Sequence, residues 1–434
     1  MNYGETLNII DEKTKNLGIT PGLDNIRELL KRLGNPQDKV PAIHIAGTNG
    51  KGSIMAYVEE VLVLSGLKVG RYISPAIFDY RERWKINKKE VTENDVAETL
   101  TDILKAIDEM ARDGFTSPSA FEIETAAAFY MFEKNQCDVM LIECGMGGRL
   151  DATNVMKNKI VDVLASVSLD HMEYLGNTIG EITKEKLGII NEGDTLVTYP
   201  TTEEVNEAIF KYITDHEFFW RKTEINALDI IKSNVEGSEF YYRGTRFSIS
   251  MAGEYQIYNA ICAVEVIHAY NRYAIKNGKD AVQYDIIRKG LSQTFWPGRF
   301  SVIYRGPYII ADGAHNKDAW RVLAESIEKY FPSKKVVFIL GVFKDKQYDD
   351  MIKILSPLMK CCFTVTAPGP RGLDAEYLAT KMCYGGCRAV SCKTIREALA
   401  KAKEAAGKNG VVVATGSLSY IGRLIEISYE IDND

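Results

Sequence analysis

No stretch of the 434 residues approaches 18 uninterrupted apolar positions, so a membrane-spanning helix is not expected. The opening Met1-Asn2-Tyr3-Gly4-Glu5 lacks a basic stretch running into an apolar one, which argues against a signal peptide and for a cytoplasmic setting. Positive charge is not in excess. The 53 Lys and Arg stand against 59 Asp and Glu, a net charge of −6, which leaves no general basic face for nucleic acid or an anionic membrane. Local basic pockets for phosphate remain compatible with that balance. Cysteine is sparse: eight residues scattered along a long chain read as free thiols in a reducing compartment. Cys361-Cys362 with Cys383, Cys387 and Cys392 form a local group. Its spacings match no strong zinc pattern, and no histidine stands near it. Low-complexity tracts, short-period repeats and coiled-coil heptads are missing as well, and a monomer is expected.

What is present is an alternation of short apolar runs with amphipathic stretches, the pattern of α/β folds built on mainly parallel sheets. Ala42–Ala46, Val139–Glu143, Val161–Val167 and Leu196–Thr198 read as buried strands. So do Tyr308–Ala311, Val336–Leu340 and Val411–Ala414 further on, with helices expected near Asp318–Tyr330, Tyr348–Met359 and Ile395–Ala406. Glu236–Met251 alternates like antiparallel strands, with Gly244 in the turn. At about 150 residues per domain the length suggests two or three domains. Trp296-Pro297-Gly298 interrupts any regular element, and a fresh strand–helix series follows it. The expectation is a larger α/β domain over 1–296 and a smaller one over 297–434, with ligand held in the cleft between them.

The strongest motif is His44-Ile45-Ala46-Gly47-Thr48-Asn49-Gly50-Lys51-Gly52-Ser53. A strand-like run ends at Ala46, a glycine-rich loop follows, and Ile54–Ser65 is compatible with a helix. Glycines let backbone N–H groups turn inward around phosphate oxygens. Lys51 adds a mobile positive charge, and the new helix points its positive end at the same anion. Thr48, Asn49, Gly50, Lys51, Gly52 and Ser53 are therefore candidates for binding nucleotide phosphates, with Ser53 also a candidate metal ligand. The match to GxxxxGK[ST] is imperfect, because Ile45 occupies the place of the first glycine and Gly52 separates Lys51 from Ser53. A glycine-rich turn with a surface lysine is the competing reading. Glu143 ends an apolar strand, where side chains project into a ligand crevice, and His171 follows the next strand by a short loop.

Gly47–Ser53 resembles the P-loop variant of the Mur-ligase superfamily in its folate-ligase branch. Other segments agree in the same order: Gly18–Leu23, Ser74-Pro75 with Tyr80–Arg83, Glu143–Asn154, Leu169-Asp170-His171 with Leu175-Gly176, Trp296–Phe300, Asp312–Asn316 and Gly341–Lys346. The match runs essentially end to end. It implies a P-loop-type, mainly parallel N-terminal domain followed by a smaller Rossmann-like α/β domain. It also implies an ATP-dependent amide ligase that adds L-glutamate to tetrahydrofolate and its polyglutamates through an acyl phosphate, releasing ADP and phosphate. Dihydropteroate as a further acceptor stays open.

By the resemblance, Ser74, Glu143 and His171 hold Mg²⁺, a hard cation that binds phosphates alongside one or two protein oxygens. Lys186, in an amphipathic helical stretch, matches a lysine that the family carbamylates; the carbamate turns a cation that would repel Mg²⁺ into an oxygen ligand. Composition alone makes Lys186 a solvated helix lysine. Lys51, Lys186 and His171 are the implied catalytic group. Asn259 matches a contact to adenine and Arg299 an arginine on the ATP phosphates, where its planar fork grips oxygens in pairs. Asp312 and His315 match nucleotide contacts of the C-terminal domain. Pro21, Gly22, Leu23, Phe121, Glu122, Leu150, Asp151 and Ala152 would border the pterin. Arg83 and Arg149 would meet carboxylates of folate or glutamate, and Ser417 would help hold glutamate.

Two rivals remain, the second from another class. A cell-wall Mur ligase normally carries an extra N-terminal domain for its nucleotide sugar, and only 46 residues precede Gly47. A P-loop switch without ligase activity needs mobile nucleotide-sensing loops and does not account for Asp312, His315 and Lys344.

Overall fold

The computed structural model describes residues 1–14 and 22–432. The chain divides into two compact units, one of Met1–Ala227 with Tyr258–Gln293 and one of Leu228–Ile257 with Thr294–Asp434. The chain crosses between them three times, and the expected boundary at Trp296 lies close to the last crossing, between Gln293 and Thr294. The first crossing departs from the sequence reading: residues 228–257, expected in the N-terminal domain, fold with the second unit.

The first unit is built on eight strands: β1 Ala42–Ala46, β2 Val69–Tyr72, β3 Trp84–Ile86, β4 Lys89–Glu90, β5 Val139–Glu143, β6 Lys159–Leu164, β7 Thr195–Thr198 and β8 Phe219–Lys222. Their order is β4-β3-β2-β5-β1-β6-β7-β8. The pairs from β2 through β8 are parallel, and β3 and β4 add an antiparallel edge. Every residue of β1 and β5 is buried, as strands covered on both faces require. The register aligns Ile45 with Glu143 and Ala46 with Leu164. The glycine loop, Glu143 and the segment after β6 therefore leave the sheet side by side at its carboxyl edge, where open α/β sheets hold ligands.

The second unit contains β9 Leu228–Asn234, β10 Gly237–Tyr242 and β11 Thr245–Ile249 in a three-stranded antiparallel sheet. The β10–β11 turn has Arg243 at φ 48° and Gly244 at φ 75°, the positive pair that a two-residue hairpin favours. The larger sheet takes β12 Ser301–Arg305, β13 Tyr308–Ala311, β14 Val336–Leu340, β15 Met359–Thr364, β16 Ala389–Ser391 and β17 Val411–Thr415, in the order β12-β13-β17-β14-β15-β16. Helices Lys317–Tyr330 and Ile395–Ala406 match expectation, but the helix expected over Tyr348–Met359 stops at Leu355. Pro357 sits in a short 3₁₀ turn, Ser356–Leu358, since proline cannot continue the helical hydrogen-bond ladder, and Met359 already belongs to β15.

Candidate active site

The glycine loop is braced from the strand beside it. Thr48 N donates to Ser166 O at 2.7 Å. The Thr48 hydroxyl donates to Ser168 O at 3.1 Å and accepts from Ser168 N at 3.1 Å. Gly47 has no room for a side chain, because a Cβ there would lie 2.6 Å from that of Ala165. Gly50 caps the helix Lys51–Leu64 at φ 88°, and a Cβ on it would stand 2.7 Å from Asn259 Oδ1. The structure thus brings Asn259 against the glycine loop. Lys51 Nζ donates to Gly47 O at 3.1 Å and Thr48 O at 3.4 Å, and lies 3.8 Å from Glu143 Oε1. Its ammonium curls over the loop's own carbonyls, next to the carboxylate that ends β5. Ser53 is buried in the first turn of the same helix.

Lys186 is not a solvated helix lysine. It lies near the end of the helix Ile179–Leu187 and is only 4% exposed. Among the described residues no carboxylate forms an ion pair with it. Burial pushes its pKa down to about 8, and the positive charge of Lys51 adds to the effect. Its helix is fixed at both ends. Thr178 and Glu181 form a capping box at the start. At the other end Asn154 Nδ2 donates to Gly188 O at 2.8 Å, and Arg149 N to Glu185 O at 2.9 Å. Gly148 allows this docking, since a Cβ there would lie 2.6 Å from Glu185 O.

His171 takes φ 50° at the start of Met172–Leu175, with a side chain 41% exposed. Ser74 is half-buried just after β2. No group of three or more His, Cys, Asp or Glu that could hold a metal occurs among the described residues. Mg²⁺ needs no such cage: one or two carboxylates suffice when phosphate and water complete its shell. Glu143, at a strand end beside the phosphate loop, fits that requirement.

The residues expected around folate divide into groups. Pro21, like Gly18–Thr20, lies outside the described residues; Gly22 is half-buried and Leu23 buried. The Phe121 ring packs against Gly145, where a Cβ would meet its Cζ at 2.5 Å. Glu122 is engaged in a capping box, one oxygen accepting from Ser119 N and Oγ, both at 2.8 Å. Arg83 pairs with buried Glu124 at 3.1 Å and lies over the Tyr80 ring. Arg149 pairs with Glu185 at 3.1 Å and stays largely exposed, as does Leu150. Asp151 and Ala152 are buried. Burial raises the Asp151 pKa, against hydrogen bonds that favour its charged form.

In the second unit Asp312 follows β13 and is almost fully enclosed. Its Oδ2 accepts from Phe300 N at 2.8 Å and Tyr255 OH at 3.2 Å, and its Oδ1 from Ala314 N at 2.8 Å. Burial raises its pKa, with Arg299 opposing. Arg299 lies against Gly313, where a Cβ would stand 2.8 Å from Nη1. His315 Nδ1 is 2.9 Å from Gly313 O, so Nδ1 carries the hydrogen. Ser417 is buried, with Oγ 2.8 Å from Ser419 Oγ, at the end of β17.

Residues 45–267 match the Mur ligase middle domain, and residues 298–418 match the Mur ligase glutamate ligase domain. A dihydrofolate synthase/folylpolyglutamate synthase of Bacillus subtilis (strain 168) is 31% identical over 417 residues, 93% of this chain and 94% of that protein. The chain belongs to the folylpolyglutamate/dihydrofolate synthase family of Mur ligases. The folylpolyglutamate synthase of Lacticaseibacillus casei is 32% identical, covering 87% of this chain and 89% of its own. Among solved structures, Mycobacterium tuberculosis folylpolyglutamate synthase complexed with ADP and AMPPCP superposes with a TM-score of 0.87 at 28% identity, covering 98% of each chain. E. coli FolC in complex with DHPP and ADP superposes with a TM-score of 0.86 at 25% identity, covering 100% of this chain and 99% of that one.

As a member of this family the chain is an ATP-dependent glutamate ligase with an α/β architecture. No helix among its described residues is long and apolar enough to cross a membrane. Sequence reasoning overlooked Ser166 and Ser168, which brace the phosphate loop through backbone atoms and through their hydroxyls, Ser166 Oγ donating to Asn49 O at 3.1 Å and Ser168 Oγ accepting from Asn49 Nδ2 at 3.4 Å. These contacts join residues 117 and 119 positions apart and leave no local signal. It also gave no role to His44 and Thr153, whose side chains meet at 2.8 Å across the fold.

Proposed function

We propose that the chain adds L-glutamate to tetrahydrofolate and its polyglutamates. The terminal folate carboxylate attacks the γ-phosphorus of ATP and ADP leaves. The glutamate amine then attacks the acyl phosphate, an amide forms, and phosphate departs with the amine's proton released. The observation that carries this reading is the convergence of the glycine loop, Lys51, Glu143 and buried Lys186 at one sheet edge. Lys51 would neutralise charge on the transferring phosphoryl group. Ser53, Thr48, Asn49, Gly50 and Gly52 would supply the loop's donors, and Asn259, beside Gly50, the contact toward the nucleoside. Arg299, Asp312 and His315 would be further nucleotide contacts, and Ser417 would help hold the incoming glutamate.

Mg²⁺ bound by Glu143, His171 and Ser74 would supply charge neutralisation on the phosphates. Carbamylation of Lys186 belongs to the same proposal. An enclosed ammonium with no carboxylate partner, facing a second lysine, is destabilised relative to the neutral amine. The neutral amine adds CO₂ and loses a proton, leaving a carbamate whose oxygens suit the cation. Labelled-CO₂ NMR tests this directly; an unmodified amine in active, bicarbonate-equilibrated enzyme would remove it.

The deciding experiment is a product assay with ATP and glutamate against tetrahydrofolate and dihydropteroate side by side. A muramyl acceptor and a glutamate-free reaction serve as controls. Glutamylated tetrahydrofolate with matching ADP release is expected. Turnover only with the muramyl acceptor, or ADP release indifferent to glutamate, would overturn the reading. The dihydropteroate arm shows whether dihydrofolate synthesis accompanies it.

A further inference from the structure

His44 is one of five histidines and sits in the middle of β1, three residues before the glycine loop, with no exposed surface. Its backbone registers with Ile142 on one side and Asp162 on the other. Nothing in the ligation chemistry uses it. Its ring Nε2 lies 2.8 Å from Thr153 Oγ1, and Thr153 Oγ1 lies 2.6 Å from Asp151 Oδ1. The same carboxylate oxygen accepts from Thr153 N at 3.0 Å, and the other accepts from Met146 N at 2.8 Å.

The direction of this chain follows from counting hydrogens. A threonine hydroxyl has one hydrogen and two lone pairs. With that hydrogen given to the Asp151 carboxylate, Oγ1 can only accept from His44. Nε2 must then carry the imidazole hydrogen, and Nδ1 must be bare. The other side of the ring agrees. Nδ1 has no hydrogen-bond partner among the described residues. The nearest carboxylate, Asp162 Oδ1, is 3.9 Å away, beyond hydrogen-bond reach. Asp162 is held instead by Lys159, at 2.9 and 3.0 Å. A bare nitrogen buried without a partner is less costly than a buried orphan N–H. Burial, with Lys159 adding to it, holds the His44 pKa well below the usual histidine range.

We propose that His44 is a positioning residue for the acceptor side of the site: its Nε2–H commits the Thr153 hydroxyl to Asp151 and so ties the loop between β5 and β6 to the strand that delivers the phosphate loop. This rests on the folate-ligase reading, since Asp151 and Ala152 are the residues expected to border folate. Asp151 bonds to Met146 and Thr153, gathering the first half of that loop onto one carboxylate. His44 extends the tie into β1, so that the acceptor-side loop and Gly47–Ser53 share one rigid support.

Two measurements on the full chain test this. In imidazole-¹⁵N spectra of the folded protein, His44 is expected as the neutral Nε2–H tautomer, unchanged across the pH range where exposed histidines titrate. An Nδ1–H tautomer would reverse the chain of donors and overturn the proposal, as would ordinary titration. The second measurement compares His44→Gln, whose amide nitrogen can still donate to Thr153, with His44→Leu, which cannot. One lost buried hydrogen bond corresponds to roughly tenfold. His44→Leu should raise KM for the folate acceptor by about that factor and leave KM for ATP within roughly twofold, and His44→Gln should restore most of the loss. Equal behaviour of Gln and Leu, or parallel rises in both KM values, would overturn it. If His44→Leu does not fold, Thr153→Ser against Thr153→Val makes the same comparison, with Ser expected to retain the acceptor KM. A wild type that glutamylates no folate would defeat the functional reading, whereas the tautomer would still decide the hydrogen-bond chain.

Discussion

Two lysines make opposite demands on the site. Lys51 opens the helix that follows the glycine loop, and its ammonium bonds to loop carbonyls beside Glu143 rather than to another part of the fold. Lys51→Ala should therefore abolish ligation and shift thermal unfolding little; ADP release and a melting curve on the same sample check it, and near-normal turnover in a folded variant would count against the phosphate role. Lys186 is enclosed, and its pKa falls from 10.5 to about 8. An amine whose folded pKa lies below its unfolded value binds its proton less well when folded. Stability is then fullest above the unfolded pKa and declines as pH falls toward about 8, below which the penalty is constant. At 1.36 kcal/mol per unit the penalty is on the order of 3 kcal/mol. In CO₂-depleted, metal-free buffer, Lys186→Met should be inactive yet more stable than the wild type at pH 7, and its advantage should shrink as pH rises through 8 toward 10.5. Exposed Lys184→Ala, on another helix face, should be nearly silent in both assays. An advantage of Met over Lys that did not depend on pH would assign the effect to packing. The glycine loop was legible in the sequence because its chemistry is local: consecutive glycines, a lysine and a helix start. The burial of Lys186 and the His44–Thr153 contact were not, because both depend on which distant segments a residue meets.

Regular elements read well where one period dominates. β1, β5, β13 and β14 have the expected limits because each is a short, mainly apolar run in a covered sheet. β9 was overlooked: its burial follows no simple alternation, so period-2 reasoning had little to hold. The helix Ile179–Leu187 shows how local chemistry can set a functional element. Thr178 accepts from Glu181 N at 3.2 Å, and Glu181 accepts from Asn177 N at 2.8 Å and Thr178 N at 3.2 Å. Thr178→Ala removes the first of these and should cost about 1 kcal/mol, whereas Thr178→Ser should retain most of it. Hydrogen exchange over 179–187 is the appropriate readout, because a frayed first turn exchanges faster without global unfolding. Ligase activity should fall only modestly, since Lys186 stands near the opposite end, where Asn154 and Arg149 bind the turn. Equal exchange in Ala and Ser variants would show that the cap is not what holds the helix.

The order of the family's motifs along the whole chain was legible, but the division of the chain into units was not. Trp296-Pro297-Gly298 marks one crossing through its proline and glycine, whereas the crossing near Ala227 has no such punctuation. What assigns 228–257 to the second unit is packing. Val235, Ala252 and Tyr255 join the core that holds Phe300, Trp320 and Val336. The Ser233 and Tyr330 hydroxyls meet at 2.8 Å, and Gly253 N donates to Tyr330 OH at 3.2 Å. Glu236 pairs with Arg305 at 2.6 Å, and Tyr255 donates to Asp312. A fragment ending at residue 296 therefore keeps β9–β11 and removes the core they pack against. It should bind a hydrophobic dye strongly where the full chain does not, because the apolar faces of Val235, Ala252 and Tyr255 lose their cover. It should also lack ligase activity, since Arg299, Asp312, His315 and Ser417 go with the missing part. The two readouts separate two ideas. A dye-silent but inactive fragment would show that 228–257 finds cover without the second unit, while leaving that unit's chemical role intact. An active fragment would remove Arg299 and Asp312 from the reaction altogether.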